Sequence, residues 1–265
     1  MDGELNHTSS VFQSLKQWRT WIALAVFDLR AQYRRTSLGM YWIVVATLFF
    51  ALVVGSLWTA LFDRPAGEVI PWLSVGGATW WLILGVITGG ATSLTSRSAL
   101  IKTLDLPLPG YVIWLLARLL ITFLIAIVTA STISWILIGQ VPQTTVLVVP
   151  GMLLLSAILL FLAMLLSLIG ARYRSLVEVL RVVTLPLFLL TPVIWQPSQL
   201  GASTRERLVE LNPIGHWIAL IRDPILGSAP APETWVVAIC SIALLALPSL
   251  AVLRHKRSEV VYWTM

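Results

Sequence analysis

Few residues in this chain are of types that do chemistry, and their spacing speaks against catalysis. The three histidines, His7, His216 and His255, include no two at the spacing of a metal-ligating H-E-x-x-H helix. No G-x-S-x-G turn offers an acyl-transfer nucleophile. No G-x-x-x-x-G-K-[ST] loop offers a cradle for ATP phosphates. No Asp-x-Asp pair offers a metal–diphosphate site for sugar transfer, and the single Cys240 lies inside an apolar run. Ion-coupled carriers place Asp, Glu or His inside their spans. Here the acids fall in tails, loops or span ends, so the energy source is not expected in this chain. Glu178 and Arg181 stand three apart, which suits a salt bridge on one helix face. What remains are clusters of basic residues and 13 tryptophans.

The elements that must position these residues follow from composition. Of 265 residues, 58% are apolar and 11% are charged, against about 25% charged in an ordinary soluble domain. Mean hydropathy is +0.88. These values exclude a soluble or disordered chain. The net charge of +6 does not mark a nucleic-acid binder, because the basic residues sit beside long apolar runs. The N-terminus carries Asp2 and Glu4 and lacks a basic segment followed by a short apolar one, so no cleaved signal peptide is expected.

A helix needs about 20 mostly apolar residues to cross the hydrocarbon layer. Six segments qualify: 38–62, 71–94, 111–139, 146–170, 176–195 and 234–253. The fifth is the weakest, since Glu178, Arg181, Pro186 and Pro192 interrupt it. Strand-like alternation is too scarce for a membrane barrel. The expected fold is therefore an all-α integral membrane protein with six transmembrane helices in a single domain over 1–265. Basic residues mark the cytoplasmic side. Lys16, Arg19, Arg30, Arg34, Arg35, Arg97, Lys102, Arg118, Arg172, Arg174, Arg181, Arg254, Lys256 and Arg257 collect on one side; Arg64, Arg205, Arg207 and Arg222 fall on the other. Both termini are thus placed in the cytoplasm, which also removes meaning from the sequon at Asn6-His7-Thr8.

Two regions depart from span-and-loop organisation. Val11, Leu15, Trp18, Ile22, Val26, Leu29 and Tyr33 recur at helical spacing, with Lys16, Arg19, Asp28 and Arg30 between them. Such a helix, 11–35, suits the headgroup layer, either as an anchor or as a lever on the spans. The segment 197–232 is too long for a plain loop. It reads as two short helices, 203–210 and 215–226, broken at Asn212-Pro213 because the residue before a proline is pushed out of helical angles. Gly85 and Gly89, extended by Gly76, Gly77 and Gly90, give span two a small face for close helix approach, within the chain or between subunits. Many tryptophans fall near span ends, as an interfacial belt would have them. The same rings could also stack on the apolar faces of sugars.

Three stretches carry a family resemblance. The first is Arg30-Ala31-Gln32-Tyr33-Arg34-Arg35-Thr36-Ser37-Leu38-Gly39-Met40-Tyr41-Trp42. It resembles the entry to the first span of permease subunits in polysaccharide ABC exporters of the ABC-2 type, although Ser37 stands directly before Leu38, a small departure. The run Leu100-Ile101-Lys102-Thr103-Leu104-Asp105-Leu106-Pro107 resembles the family's coupling segment, and Leu211-Asn212-Pro213-Ile214 with Ile221-Arg222-Asp223 resembles its outer element. The family exports O-antigen, capsule, teichoic-acid and cell-wall glycans.

The resemblance implies a homodimer in the bacterial plasma membrane with two ATP-binding subunits. ATP and Mg would be held by those partners, with no cofactor and no enzymatic site in this chain. The cargo would be a polysaccharide on a polyprenyl diphosphate, moved out of the cytoplasm, with membrane lipids as further partners and no nucleic acid. Arg30, Tyr33, Arg34 and Arg35 would meet the headgroup, since guanidinium suits phosphate; lipid anchoring is the alternative. Ser37, Leu38, Gly39 and Trp42 would form the inner gate turn. The coupling segment 97–105 would use Arg97, Leu100, Ile101, Lys102, Leu104 and Asp105. Asn212, Pro213, Trp217, Arg222 and Asp223 would belong to the outer gate. A permease for a drug or lipid, or an integral-membrane enzyme acting on lipid carriers, is the alternative.

Overall fold

The structure is a computed structural model and describes residues 14, 16–103, 107–197 and 209–255. Those residues form helices and turns, with no strand among them. Helix α1 is Trp18–Tyr33. Helix α2, Tyr41–Phe62, contains one π-helical turn at Phe50–Val54. Helix α3 is Ala66–Thr92, and α4 is the short Ser98–Thr103. Then come α5, Leu108–Ile138, α6, Val148–Arg172, and α7, Leu176–Leu190. Helix α8 is Pro213–Leu226 and α9 is Pro232–His255.

Five helices are long and apolar enough to cross a membrane: α2, α3, α5, α6 (with the turn before it, Gln143–Arg172) and α9 up to Leu253. The chain is a multi-pass membrane protein. Its element ends follow local rules. Helix α5 starts behind Pro107 and stops at Gly139, which adopts φ +82°. Helix α8 starts at Asn212, whose side chain caps it, with Pro213 in the first turn where its missing N–H costs nothing. It stops at Gly227, φ +99°.

Helix α3 is the hub. Most of its spanning stretch is buried, whereas α2 and α9 turn most of their surface outward. Its glycines fit neighbours of the same chain: Gly85 and Gly89 face Leu119 and Leu115 of α5, and Gly90 lies against Ala163 of α6. The small face thus serves packing inside one subunit. On α6, a side chain at Gly170 would run into the carbonyl of Ala91, so only glycine lets these two backbones meet.

The fifth expected span differs from expectation. Helix α7 has only 15 residues, about 22 Å of rise, and is too short to cross alone. Thr191 turns extended (ψ 137°) because Pro192 follows it. The chain then continues without helix to Gln196, which accepts a hydrogen bond from Arg64 Nη1 (3.1 Å), while Trp72 Nε1 donates to the carbonyl of Trp195 (3.2 Å). The passage is therefore a short helix with a non-helical tail. Such backbone survives at membrane depth only where protein surrounds it, and Thr191, Pro192 and Val193 are buried.

The outer element is described in part. Residues 198–208, and with them nearly all of the first expected short helix, lie outside the described residues. The second is α8, Pro213–Leu226. Nine of its residues are buried, from Gly215 to Ile225.

Candidate functional site

The α1–α2 corner gathers the first cationic cluster. Helix α1 ends at Tyr33, whose carbonyl accepts from Thr36 Oγ1 (2.8 Å). The turn closes through Gly39, which has φ +55°. Another residue would be strained there, although space for a side chain exists. This turn brings Arg30, Tyr33, Arg34 and Arg35 onto one open groove of ≈ 970 Å³, with Phe27 and Gly39 in its wall. The three arginines are exposed. None of them makes an ion pair among the described residues. Ser37 and Leu38 are exposed on the turn beside the groove. Tyr33 also lines a second cavity, ≈ 450 Å³, whose wall includes Trp42.

Helix α1 docks differently from the expected stripe. Its buried residues are Trp21, Ala25 and Leu29, which lie against the start of α5, where Trp21 faces Tyr111 at 6.3 Å. Trp18, Ile22 and Phe27 remain exposed. Of the expected stripe, Leu29 belongs to the packed face, while Trp18 and Ile22 face outward. Apolar residues thus occupy both the docked face and the free face, which suits a helix held between protein and lipid.

Arg97, expected in the coupling segment, makes its contacts within its own chain. Its Nη2 stands 3.8 Å from Asp28 of α1, its guanidinium lies over Trp114 at 4.4 Å, and Nη1 donates to the carbonyl of Ser93 (3.4 Å). Burial pushes its pKa down, while Asp28 pulls the other way. Arg97 therefore ties α1 to the corner between α3 and α5. Leu100 is exposed on α4, and Ile101 packs against the core. Lys102 is in α4; its side chain, and all of Leu104 and Asp105, lie outside the described residues.

The expected outer-gate residues form a tie at the far end of the bundle. Asn212 Oδ1 accepts from the amides of Ile214 (3.0 Å) and Gly215 (3.3 Å). Its Nδ2 donates to the carbonyl of Leu190 (3.3 Å) and to Thr191 Oγ1 (3.1 Å). One side chain thus caps the start of α8 and the end of α7. Trp217 Nε1 donates to Ser241 Oγ of α9 (3.0 Å). Arg222 is 4% exposed. Its Nη1 donates to the carbonyl of Pro192 (2.7 Å), its guanidinium lies 3.4 Å over the Trp72 ring, and Nε reaches Asp223 Oδ1 (3.4 Å). Burial pushes Arg222 down and Asp223 up, and each partner opposes the shift of the other. The guanidinium satisfies a carbonyl that the broken α7 leaves without a helical donor.

Asp28, Trp72, Trp114 and Pro192 were not singled out as site partners in the sequence. Each acts through a residue more than 15 positions away, and no local pattern marks such a pair. Asp28 offered a weak signal, as the sole acid within α1.

The described residues thus form an all-α bundle with five helices long and apolar enough to cross a membrane. Residues 19–226 match the ABC-2 type transporter family, and the chain belongs to it. The match runs from α1 to the last residue of α8, so it spans both clusters. No curated protein matches the chain. ABC-2 permeases typically work with ATP-binding subunits.

Proposed function

We propose that this chain is the membrane-spanning half of an exporter for a lipid-linked polysaccharide, carried on polyprenyl diphosphate. Two copies would pair and bind two ATP-hydrolysing subunits in a bacterial plasma membrane, with both termini in the cytoplasm. The observation that carries the reading is the groove at the α1–α2 corner. Three exposed arginines and a tyrosine line it together, and guanidinium groups match phosphate oxygens in geometry and charge. The groove opens beside exposed apolar side chains, Phe27 of α1 and Tyr41 of α2, where a lipid tail could remain in the bilayer while its headgroup enters.

Force would arrive through α4. This helix stands between α3 and α5, and Arg97 just before it grips α1 through Asp28. A push on α4 by a closing ATPase pair would therefore move α1 and the groove together.

The test is to co-purify the chain with the ATPase encoded nearest to it and measure hydrolysis with and without polyprenyl-diphosphate glycan. A stable complex stimulated by the glycolipid is expected. A stable complex stimulated by a drug or phospholipid instead would replace the cargo, and the absence of any complex would overturn the exporter reading.

A further inference from the structure

The second cavity has a composition that the arginine groove lacks. Trp42, Phe50 and Trp81 line it, together with the hydroxyl-bearing residues Thr47, Ser74 and Thr122. It lies within one subunit, between α2, α3 and α5. Phe50 opens the π-helical turn of α2, a rare geometry that re-aims side chains and recurs at functional sites. The Phe50 ring lies on Gly77 of α3, where an added methyl group would sit 2.5 Å from Cε1. Trp81 meets Phe50 edge-on, at 6.2 Å and 78°.

The hydroxyls are oriented by their own helices. Thr47 Oγ1 donates to the carbonyl of Ile43 (2.8 Å) and Thr122 Oγ1 to that of Arg118 (3.1 Å), while Ser74 Oγ lies 3.2 Å from the carbonyl of Pro71 and 3.4 Å from Ser134 Oγ. With their protons committed, the two threonine oxygens retain lone pairs that accept hydrogen bonds. Acceptors beside aromatic faces do not suit a phosphate. A hydrocarbon tail would leave those lone pairs unused. They suit a ring that presents C–H faces to the aromatics and O–H donors to the oxygens, and a pyranose is such a ring.

Tyr33 lines both this cavity and the arginine groove, so a sugar here would adjoin a phosphate there. We propose that the Trp42–Phe50–Trp81 cavity holds the sugar next to the diphosphate and so selects the first residue of the glycan. This inference rests on the lipid-linked glycan reading above.

The test measures equilibrium binding of the full chain, purified in lipid nanodiscs, to two probes: polyprenyl diphosphate, and the same lipid carrying one hexose. The parent is expected to bind the hexosyl lipid about tenfold more tightly, the scale of one good aromatic contact. Gly77→Ala forces the Phe50 ring out of its place in the cavity wall, and Trp81→Ala removes a half-exposed ring. Each is expected to abolish that preference while binding the bare diphosphate like the parent. Equal binding of the two probes by the parent overturns the sugar site and leaves the diphosphate groove standing. So does full preference retained in both variants. Loss of bare-lipid binding in both variants would assign the cavity to the hydrocarbon tail instead. If the parent binds neither probe, the carrier reading fails, and the sugar site with it.

Discussion

Replacing Arg222 with Met keeps an unbranched side chain of similar length and removes the guanidinium from three contacts at once. A hydrogen bond from a charged donor, here to the Pro192 carbonyl at 2.7 Å, contributes about 1.5–3 kcal/mol. A desolvated cation over a tryptophan, here at 3.4 Å from Trp72, contributes about 2 kcal/mol. Breaking a buried ion pair costs about 3–5 kcal/mol, discounted here because Asp223 keeps 24% of its side chain exposed and can take up a proton. These figures describe one group and do not add. Against them stands the desolvation that Met no longer suffers. The net loss expected is about 3 kcal/mol. For a chain of this size, that corresponds to a fall of about 6–12 °C in melting temperature. Thermal unfolding of the purified chain in detergent measures it. Amide hydrogen exchange should rise at 190–197, where the broken α7 loses its donor. Arg222→Lys keeps the charge but cannot lie flat on Trp72, so it should lose part of the stability. Asp223→Asn added to Arg222→Met should recover some of it. A melting temperature within about 2 °C of the parent, with unchanged exchange at 190–197, would refute the assignment of Arg222 as the tie that holds α7, α8 and α3 together.

Arg34→Ala with Arg35→Ala should weaken binding of polyprenyl diphosphate several-fold in an equilibrium assay while leaving the melting temperature unchanged, because both residues are exposed; equal binding would return them to lipid anchoring. Arg97→Met should release α1 from the corner between α3 and α5, giving faster proteolysis within the 34–40 turn and a loss of about 1–2 kcal/mol. An unchanged digest would sink that tie. Burial raises the Asp223 carboxyl above its ordinary 3.8, so the folded chain holds this proton more tightly than the unfolded one. Its contribution to stability is complete below pH 3.8 and is lost as pH rises through the folded value. Asp223→Asn should flatten the melting temperature over that window, and an unaltered pH profile would contradict the raised value.

Local rules made much of the fold legible. The stop of α5 at Gly139 and the start of α8 at Asn212-Pro213 follow from glycine and proline chemistry within a few residues. The turn after α1 was legible in the same way, because Gly39 permits the angle that brings Arg30, Arg34 and Arg35 to one groove. Helix α7 shows where such reading ends. Pro192 announced a break, but the apolar run 176–195 looked long enough to cross. Whether a broken backbone can lie at that depth depends on what surrounds it, and Arg222, 30 residues on, supplies the donor. The docked face of α1 was not legible for a related reason. Trp18 and Trp21 are equally apolar, and hydropathy does not separate a residue facing lipid from one facing Tyr111.

The sequence by itself determined the class of molecule: an all-α membrane protein with long apolar runs and few charges, whose motifs resemble those of a transport family. These properties are set by run length, composition and turn chemistry, which are local. Only the tertiary structure decided what each charged side chain does. Arg97 and Arg222 read alike in the sequence as surface residues of moving parts, yet each is folded inward onto a tryptophan and a carbonyl. Arg30, Arg34 and Arg35 stay outside, facing a groove. A guanidinium in an apolar surrounding must find a ring, a carbonyl or a carboxylate. Its partners lie at long sequence separation, and the three-dimensional packing alone brings them within reach.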